Sequence, residues 1–236
     1  VETPDEINEV FDAIAYQVTA AVLRMVESYV GPESFRRGVA SYLKKYSYGN
    51  AAGNDFWTEV ARVTGKPVDR IMGSFVDQTG APAITVRNKC VGPTKQVPLT
   101  VDRFFGSPTA SSRQPQGWVM PVCFKDGNGA PRCELIDRRE TTLTQSGCGP
   151  TFVNADSRGY YLSGYAASDL RALAKDASSL KTIEWMSLLG DEWRMVRAGR
   201  HDIDVYLDVA SALSRNDAPE ILEMLEERLG EIDGTI

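Results

Sequence analysis

The sequence predicts an α+β chain of several units: a helical segment, an antiparallel β-sandwich of seven strands or a similar number, and a second, solenoid-like helical segment. Apolar residues recur at helical spacing up to about residue 80, turn to alternation at Gly80-Ala81-Pro82, and return to helical spacing after Tyr165. At 236 residues, with 42% hydrophobic and 25% charged side chains, the chain has material for two or three cores. The expected boundaries are 1–82, 83–166 and 167–236.

In the first segment Ile14, Val18, Val22, Met25, Val26 and Tyr29 fall on one helical face, and Gly31-Pro32 ends that helix and begins the next. Phe35, Val39, Tyr42 and Leu43 repeat the pattern up to Lys44-Lys45, where cations suit a helix C-terminus. Asn54 is the expected N-cap of a third helix carrying Val60 and Val63, which Gly65 closes. Pro67 opens a fourth through Ile71 and Phe75.

Strands are expected at 83–87, 97–103, 118–124, 132–136, 140–143, 151–154 and 160–165, the number a small two-sheet sandwich needs. Residues 106–117, rich in Ser, Pro and Gln, read as a long, mobile loop. Five helices then follow at 168–175, 180–189, 191–198, 204–213 and 219–229, with the short connectors of stacked helix pairs. Such an array, stopped midway, leaves one apolar face open to solvent.

The net charge of −6 comes from the last helix, where Asp217, Glu220, Glu223, Glu226, Glu227, Glu231 and Asp233 face one Arg228. The rest is near neutral, which argues against a nucleic-acid partner. No run of about 18 apolar residues is present to span a bilayer. The opening Val1-Glu2-Thr3 has neither an initiator methionine nor a leader pattern, and reads as the start of an excised or processed fragment.

Four cysteines admit three pairings. Cys123 and Cys133 lie symmetrically about Asn128, so a hairpin tip at Gly127-Asn128-Gly129 sets them opposite each other at a spacing a disulfide bridges. Cys90 and Cys148 then remain to pair. The alternative is four buried thiols in a cytosolic protein; disulfides instead lean towards a secreted or periplasmic one. No C-x-x-C occurs to suggest structural zinc.

Four stretches, in order, resemble the gluzincin family of membrane-alanyl-type zinc aminopeptidases. They are Phe11-Asp12…Ile14-x-Tyr16…Ala21-Val-Leu-Arg-Met25; Tyr46-Ser-Tyr48-Gly49-Asn50-Ala51…Asp55-Phe56-Trp57; Phe75…Gln78-Thr-Gly80-Ala-Pro82; and Asn154…Gly159-Tyr160-Tyr161. The resemblance implies that 1–82 is the helical end of a thermolysin-like catalytic domain, 83–166 its β-sandwich neighbour, and 167–236 the first helices of a C-terminal helical domain.

It further implies a parent enzyme that removes N-terminal residues from peptides. There a zinc ion held by two histidines and a glutamate activates water, a second glutamate is the base, and a G-x-M-E-N strand holds the free amine. This chain has a single histidine, His201, and no H-E-x-x-H. The zinc and those residues are therefore expected in a missing N-terminal half, and the chain alone is expected to hold no cofactor and to be inactive.

One catalytic residue carries over: Tyr16, a neutral phenol donor that would stabilise the developing oxyanion. The chain departs from the family at Val18-Thr19, where Lys-Gly is usual, and at Leu162, where Arg is usual. The departure at Val18-Thr19 supports an alternative, a non-catalytic binding or scaffold module of the same architecture. Tyr160 and Tyr161 read as core and edge residues of a strand, Trp185 and Trp193 as core, and His201 as a surface or capping residue at a helix start.

Overall fold

The computed structural model describes residues 13–106, 117–214 and 216–234; the Phe11-Asp12 pair and loop residues 107–116 lie outside them. Among the described residues the chain is α+β, with eight α-helices and eight strands. Helices α1 (Ala13–Val30), α2 (Pro32–Lys45), α3 (Gly53–Thr64) and α4 (Val68–Val76) come first. Strands β1 (Ala81–Val86), β2 (Lys89–Val91), β3 (Thr94–Phe104), β4 (Met120–Asp126), β5 (Arg132–Ile136), β6 (Glu140–Ser146), β7 (Thr151–Val153) and β8 (Leu162–Tyr165) follow. Helices α5 (Ala167–Ala174), α6 (Thr182–Arg197), α7 (Ile203–Leu213) and α8 (Pro219–Asp233) complete the chain.

Helix α1 buries Val22, Met25 and Val26 and leaves Gln17, Thr19, Ala20 and Arg24 exposed. It ends at Gly31, whose φ of 88° a β-carbon would resist, and Pro32 opens α2 directly. Helices α2 and α3 approach closely because Gly38 has no side chain; a β-carbon there would meet Val60 at 3.2 Å. Asn54 is not the cap of α3. The helix starts one residue earlier, and Asp55 caps it by accepting the Ala52 N–H at 2.8 Å.

Strand β3 organises the β region. Along one edge it pairs with β6, and along the other with β2 and then β1, all antiparallel. Its inward face reads Lys95, Val97, Leu99, Val101, Arg103, an apolar centre with a cation at each end. A second sheet of order β5-β4-β7 supplies Met120, Val122, Phe124 and Phe152 to the same continuous core.

The purely antiparallel expectation is corrected at β8. It pairs with β1 in parallel, from Ala83 opposite Leu162 to Val86 opposite Tyr165, so the five-stranded sheet is mixed. The chain reaches β8 only after the intervening strands, and a long connection is what a parallel pair requires. The eighth strand, β2, is closed onto β3 by a turn at Gly92-Pro93, with Gly92 at φ 61°. Three residues are too few for alternation to reveal. Tyr160 and Tyr161 precede β8 in a bend.

The expected break between 189 and 191 is also absent: α6 runs unbroken through Gly190. A helical glycine costs about 1 kcal/mol, and burying Trp185, Leu188, Leu189, Trp193 and Met195 along one helix outweighs it. Helices α7 and α8 bury Val205, Tyr206, Val209, Leu213, Ile221 and Leu225, while Ile203, Leu207, Leu222 and Leu229 stay exposed. Among the described residues no helix is long and apolar enough to cross a membrane.

Candidate functional site

Tyr16 sits in the first turns of α1; its side chain lies outside the described residues. Farther along the same helix, Ala21 and Arg24 form one wall of a cavity of about 430 Å³, faced by Asp156, Arg158, Gly159 and Ile183. Two more cavities adjoin it through Ser157, one of about 390 Å³ beside Tyr160 and Tyr161 and one of about 660 Å³ beside Trp193 and Met224. Together they make a groove between the C-terminal part of α1, the 154–161 corner and helix α6.

The corner is built by the residues of the fourth family-like stretch. Asn154, at φ 85°, accepts the Gly159 N–H on Oδ1 at 2.7 Å and donates from Nδ2 to the Gly159 carbonyl at 3.4 Å, closing the loop on itself. Gly159 is required for a separate reason: a β-carbon there would overlap the Tyr161 ring. Tyr161 is thereby folded under the corner and buried, and burial pushes its phenol well above the ordinary tyrosine range. Its neighbour Tyr160 donates its backbone N–H to Met25 Sδ at 3.4 Å and packs edge-on against Phe75, tying the corner to α1 and α4. Tyr160 and Tyr161 thus join elements together instead of lying within a strand.

Helix α6 holds the corner from the other side. Glu184, fully buried, pairs with Lys125 Nζ at 2.7 Å and accepts the backbone N–H groups of Asp156 at 2.9 Å and Lys181 at 2.8 Å. Two turns along, Asp191 accepts both the N–H (2.9 Å) and the hydroxyl (3.1 Å) of Ser163 on β8. Burial raises the Asp191 carboxyl to about 7, against the opposing pull of the Ser163 hydrogen bonds and of Arg194. Sequence reading found neither carboxylate, because a charged residue in a helical run looks solvated until the fold puts it inside.

The other family-like stretches have equally definite local roles. Gln78 accepts from Arg103 Nη2 at 2.8 Å, Gly80 adopts φ 88° where a β-carbon would meet the Arg103 stem at 3.1 Å, and Pro82 enters β1. The buried Arg103 guanidinium stacks on Trp118 at 4.9 Å. At the α2–α3 turn, Tyr46 donates to Asp55 Oδ1 at 3.1 Å, and Tyr42, Phe56 and Trp57 stack edge to face. Nearby, Glu59 is held down to about 2 by Arg62, then Ser41 and Lys45.

Cys123 and Cys133 are directly opposed across β4 and β5 with Cα atoms 4.0 Å apart and are joined. Cys90 and Cys148, 5.6 Å apart, form the second pair. The Cys123 carbonyl accepts the Asn154 N–H at 2.7 Å, which sets the first bridge behind the 154–161 corner. His201 is not a bare surface residue: its Nδ1 lies 2.8 Å from a carboxylate oxygen of the buried Glu192, and its ring rests against Gly164 of β8. Trp185 and Trp193 are both buried.

Among the described residues no group of three or more His, Cys, Asp and Glu is placed to hold a metal ion. The single histidine is engaged by Glu192 and all four cysteines are paired, so the described residues do not fit a zinc centre.

Residues 1–75 match the Peptidase family M1 domain. The chain is 34% identical over 209 residues to tricorn protease-interacting factor F2 of Thermoplasma acidophilum, covering 88% of this chain and 25% of that protein. It is 32% identical over 213 residues to a leucyl aminopeptidase of Saccharolobus solfataricus, covering 89% and 26%. With human glutamyl aminopeptidase it shares 32% over 232 residues, covering 92% and 23%. The chain spans about a quarter of the length of these relatives. On these grounds the chain belongs to the M1 peptidases, a family of gluzincin metallo-aminopeptidases.

Proposed function

We propose that this chain is the part of a zinc aminopeptidase that comprises the helical end of the catalytic domain, a β-sandwich domain and the first helices of a C-terminal solenoid. The boundaries are 1–82, 83–166 and 167–236. The observation that carries the reading is the match of residues 1–75 to the M1 domain, ending inside α4, with Tyr16 on the helix that leads to the groove. The substrates are peptides with a free N-terminus. Zinc and its ligands are supplied by polypeptide outside these 236 residues.

Tyr16 acts as a neutral hydrogen-bond donor to the oxygen that becomes negative when water attacks the scissile carbonyl. Removing one such donor lowers turnover about 100- to 1,000-fold. Tyr16→Phe in the whole enzyme is therefore expected to keep the fold and zinc content while losing turnover by that factor; an unchanged kcat would strip Tyr16 of the role. The chain by itself is expected to show no turnover of aminoacyl chromogenic substrates with added zinc, and enzyme-like rates from it would refute the assignment.

The two cystine bridges favour an oxidising compartment, secreted or periplasmic. Mass spectrometry of a non-reduced digest checks this, with four free thiols as the contrary result. Val18-Thr19 in place of Lys-Gly favours a second reading, a scaffold module. A whole protein that binds peptides yet never cleaves them, with or without zinc, would decide for it.

A further inference from the structure

The groove beside α1 is charged unevenly. Its three cavities are lined by Arg24, Arg158, Arg194, Arg197 and Arg228 against two carboxylates, Asp156 and Asp191. Asp156 is already paired with Lys181, and burial keeps Asp191 only partly ionised near neutral pH. Arg197 and Arg228 are in turn met by Glu231 and Glu227, so the groove's excess of positive charge rests on Arg24, Arg158 and Arg194. On α6 the residues Ile183, Ser187, Gly190, Arg194 and Arg197 fall three and four apart, one stripe of the helix turned to the cavities. Gly190 leaves room for the Arg194 guanidinium, which a β-carbon would crowd at 3.2 Å.

Arg194 lines both the 390 Å³ and the 660 Å³ cavities, and its side chain is 60% exposed, with Asp191 no nearer than 3.8 Å. Arg228 lies over the Trp193 ring at 5.9 Å, beside Met186 and Met224. Guanidinium groups above an apolar floor suit a ligand with a carboxylate and a hydrocarbon body. The groove also begins at a measurable place. Arg24 follows Tyr16 by eight residues, about 12 Å of helix rise, which an extended peptide at about 3.3 Å per residue crosses in about four residues.

We propose that this groove binds the C-terminal end of a peptide, with the main-chain carboxylate held by Arg194 and the residues before it lying on Trp193 and Met224. The proposal rests on the peptidase reading for the direction in which the peptide runs. A peptide running from the Tyr16 end of α1 passes Arg24 before it meets the cavities that Arg194 lines, so the groove sets a preference for longer peptides and for a free carboxylate.

Calorimetric titration of the 236-residue chain with a pentapeptide as its free acid and as its C-terminal amide tests this. The free acid is expected to bind at least tenfold more tightly, Arg194→Gln to abolish the difference, and Arg194→Lys to restore part of it. An amidated peptide ending in glutamate separates a side-chain carboxylate from the main-chain one and is expected to bind like the plain amide. Equal binding of acid and amide, binding of the glutamate amide as tight as the acid, or acetate at the same ionic strength competing as well as the peptide overturns the proposal. Circular dichroism confirms that each variant is folded. If the whole protein cleaves nothing while the acid-over-amide preference persists, the peptidase reading falls and the carboxylate site stands.

Discussion

Two corners of the molecule carry family-like residues, and they are held in opposite ways. The α2–α3 turn is a surface structure: Tyr48 projects fully into solvent at φ 58°, and the turn rests on the Tyr46 to Asp55 hydrogen bond and a partly buried stack of rings. The 154–161 corner is an interior one, fixed by a buried ion pair, by an asparagine that closes its own loop, and by a ring that leaves no room for a β-carbon. The difference shows that a recurring motif need not mark chemistry. In both places it marks backbone geometry, and only the second geometry borders the groove.

The comparison breaks most severely at Glu184. Glu184→Ala leaves Lys125 buried without its counter-charge and frees the Asp156 N–H, for an expected loss of about 3 to 5 kcal/mol in denaturant unfolding. Lys125→Met combined with Glu184→Leu should recover much of it. Gly159→Ala is next, with about 1 to 3 kcal/mol lost through overpacking against Tyr161; thermal melting reads it, and Gly159→Ala with Tyr161→Leu should be milder than the single change.

A pH experiment sharpens the contrast. The folded-state value for Asp191 lies above the unfolded one, so its ionised form is disfavoured by folding. Stability from this group is greatest below pH 4 and declines as the pH rises towards 7. Asp191→Asn should flatten that decline relative to wild type between pH 4 and 7, as read from melting temperatures; parallel curves would refute it. The smallest effect is expected at the surface corner, where Tyr46→Phe removes one part-buried hydrogen bond worth about 0.5 to 1.5 kcal/mol.

Much of the fold could be read in advance because punctuation and period agree with it. Gly31-Pro32, Gly65 and Pro67 divide the first helices where the structure divides them, and the change of period at Gly80 marks β1. What escaped were decisions made by tertiary contact. Gly190 looks like a stop, yet the apolar face on either side keeps α6 continuous. Asn54 looks like a cap, but Asp55 is the residue whose carboxylate reaches the Ala52 amide. β8 shows strand character without showing which neighbour it joins. The groove was the least visible part, since Asp191 and Arg194 on α6 are brought against Ser157 and Arg24 from distant stretches, and neither Asp191 nor Arg194 belongs to a motif. His201 reads as a surface or capping residue for the same reason, its buried partner Glu192 lying nine residues back in α6.

The parallel junction of β1 with β8 sets an order on biosynthesis. When β1 leaves the ribosome, one side of it can be satisfied by β3 within a few seconds of translation, but the strand that covers the other side comes about 80 residues after the start of β1. Until then the nascent chain displays an open row of amides and carbonyls beside apolar Ile84 and Val86. A polypeptide released before Leu162 would keep that row permanently, which makes premature termination inside the β region a route to aggregation more than to a smaller folded product.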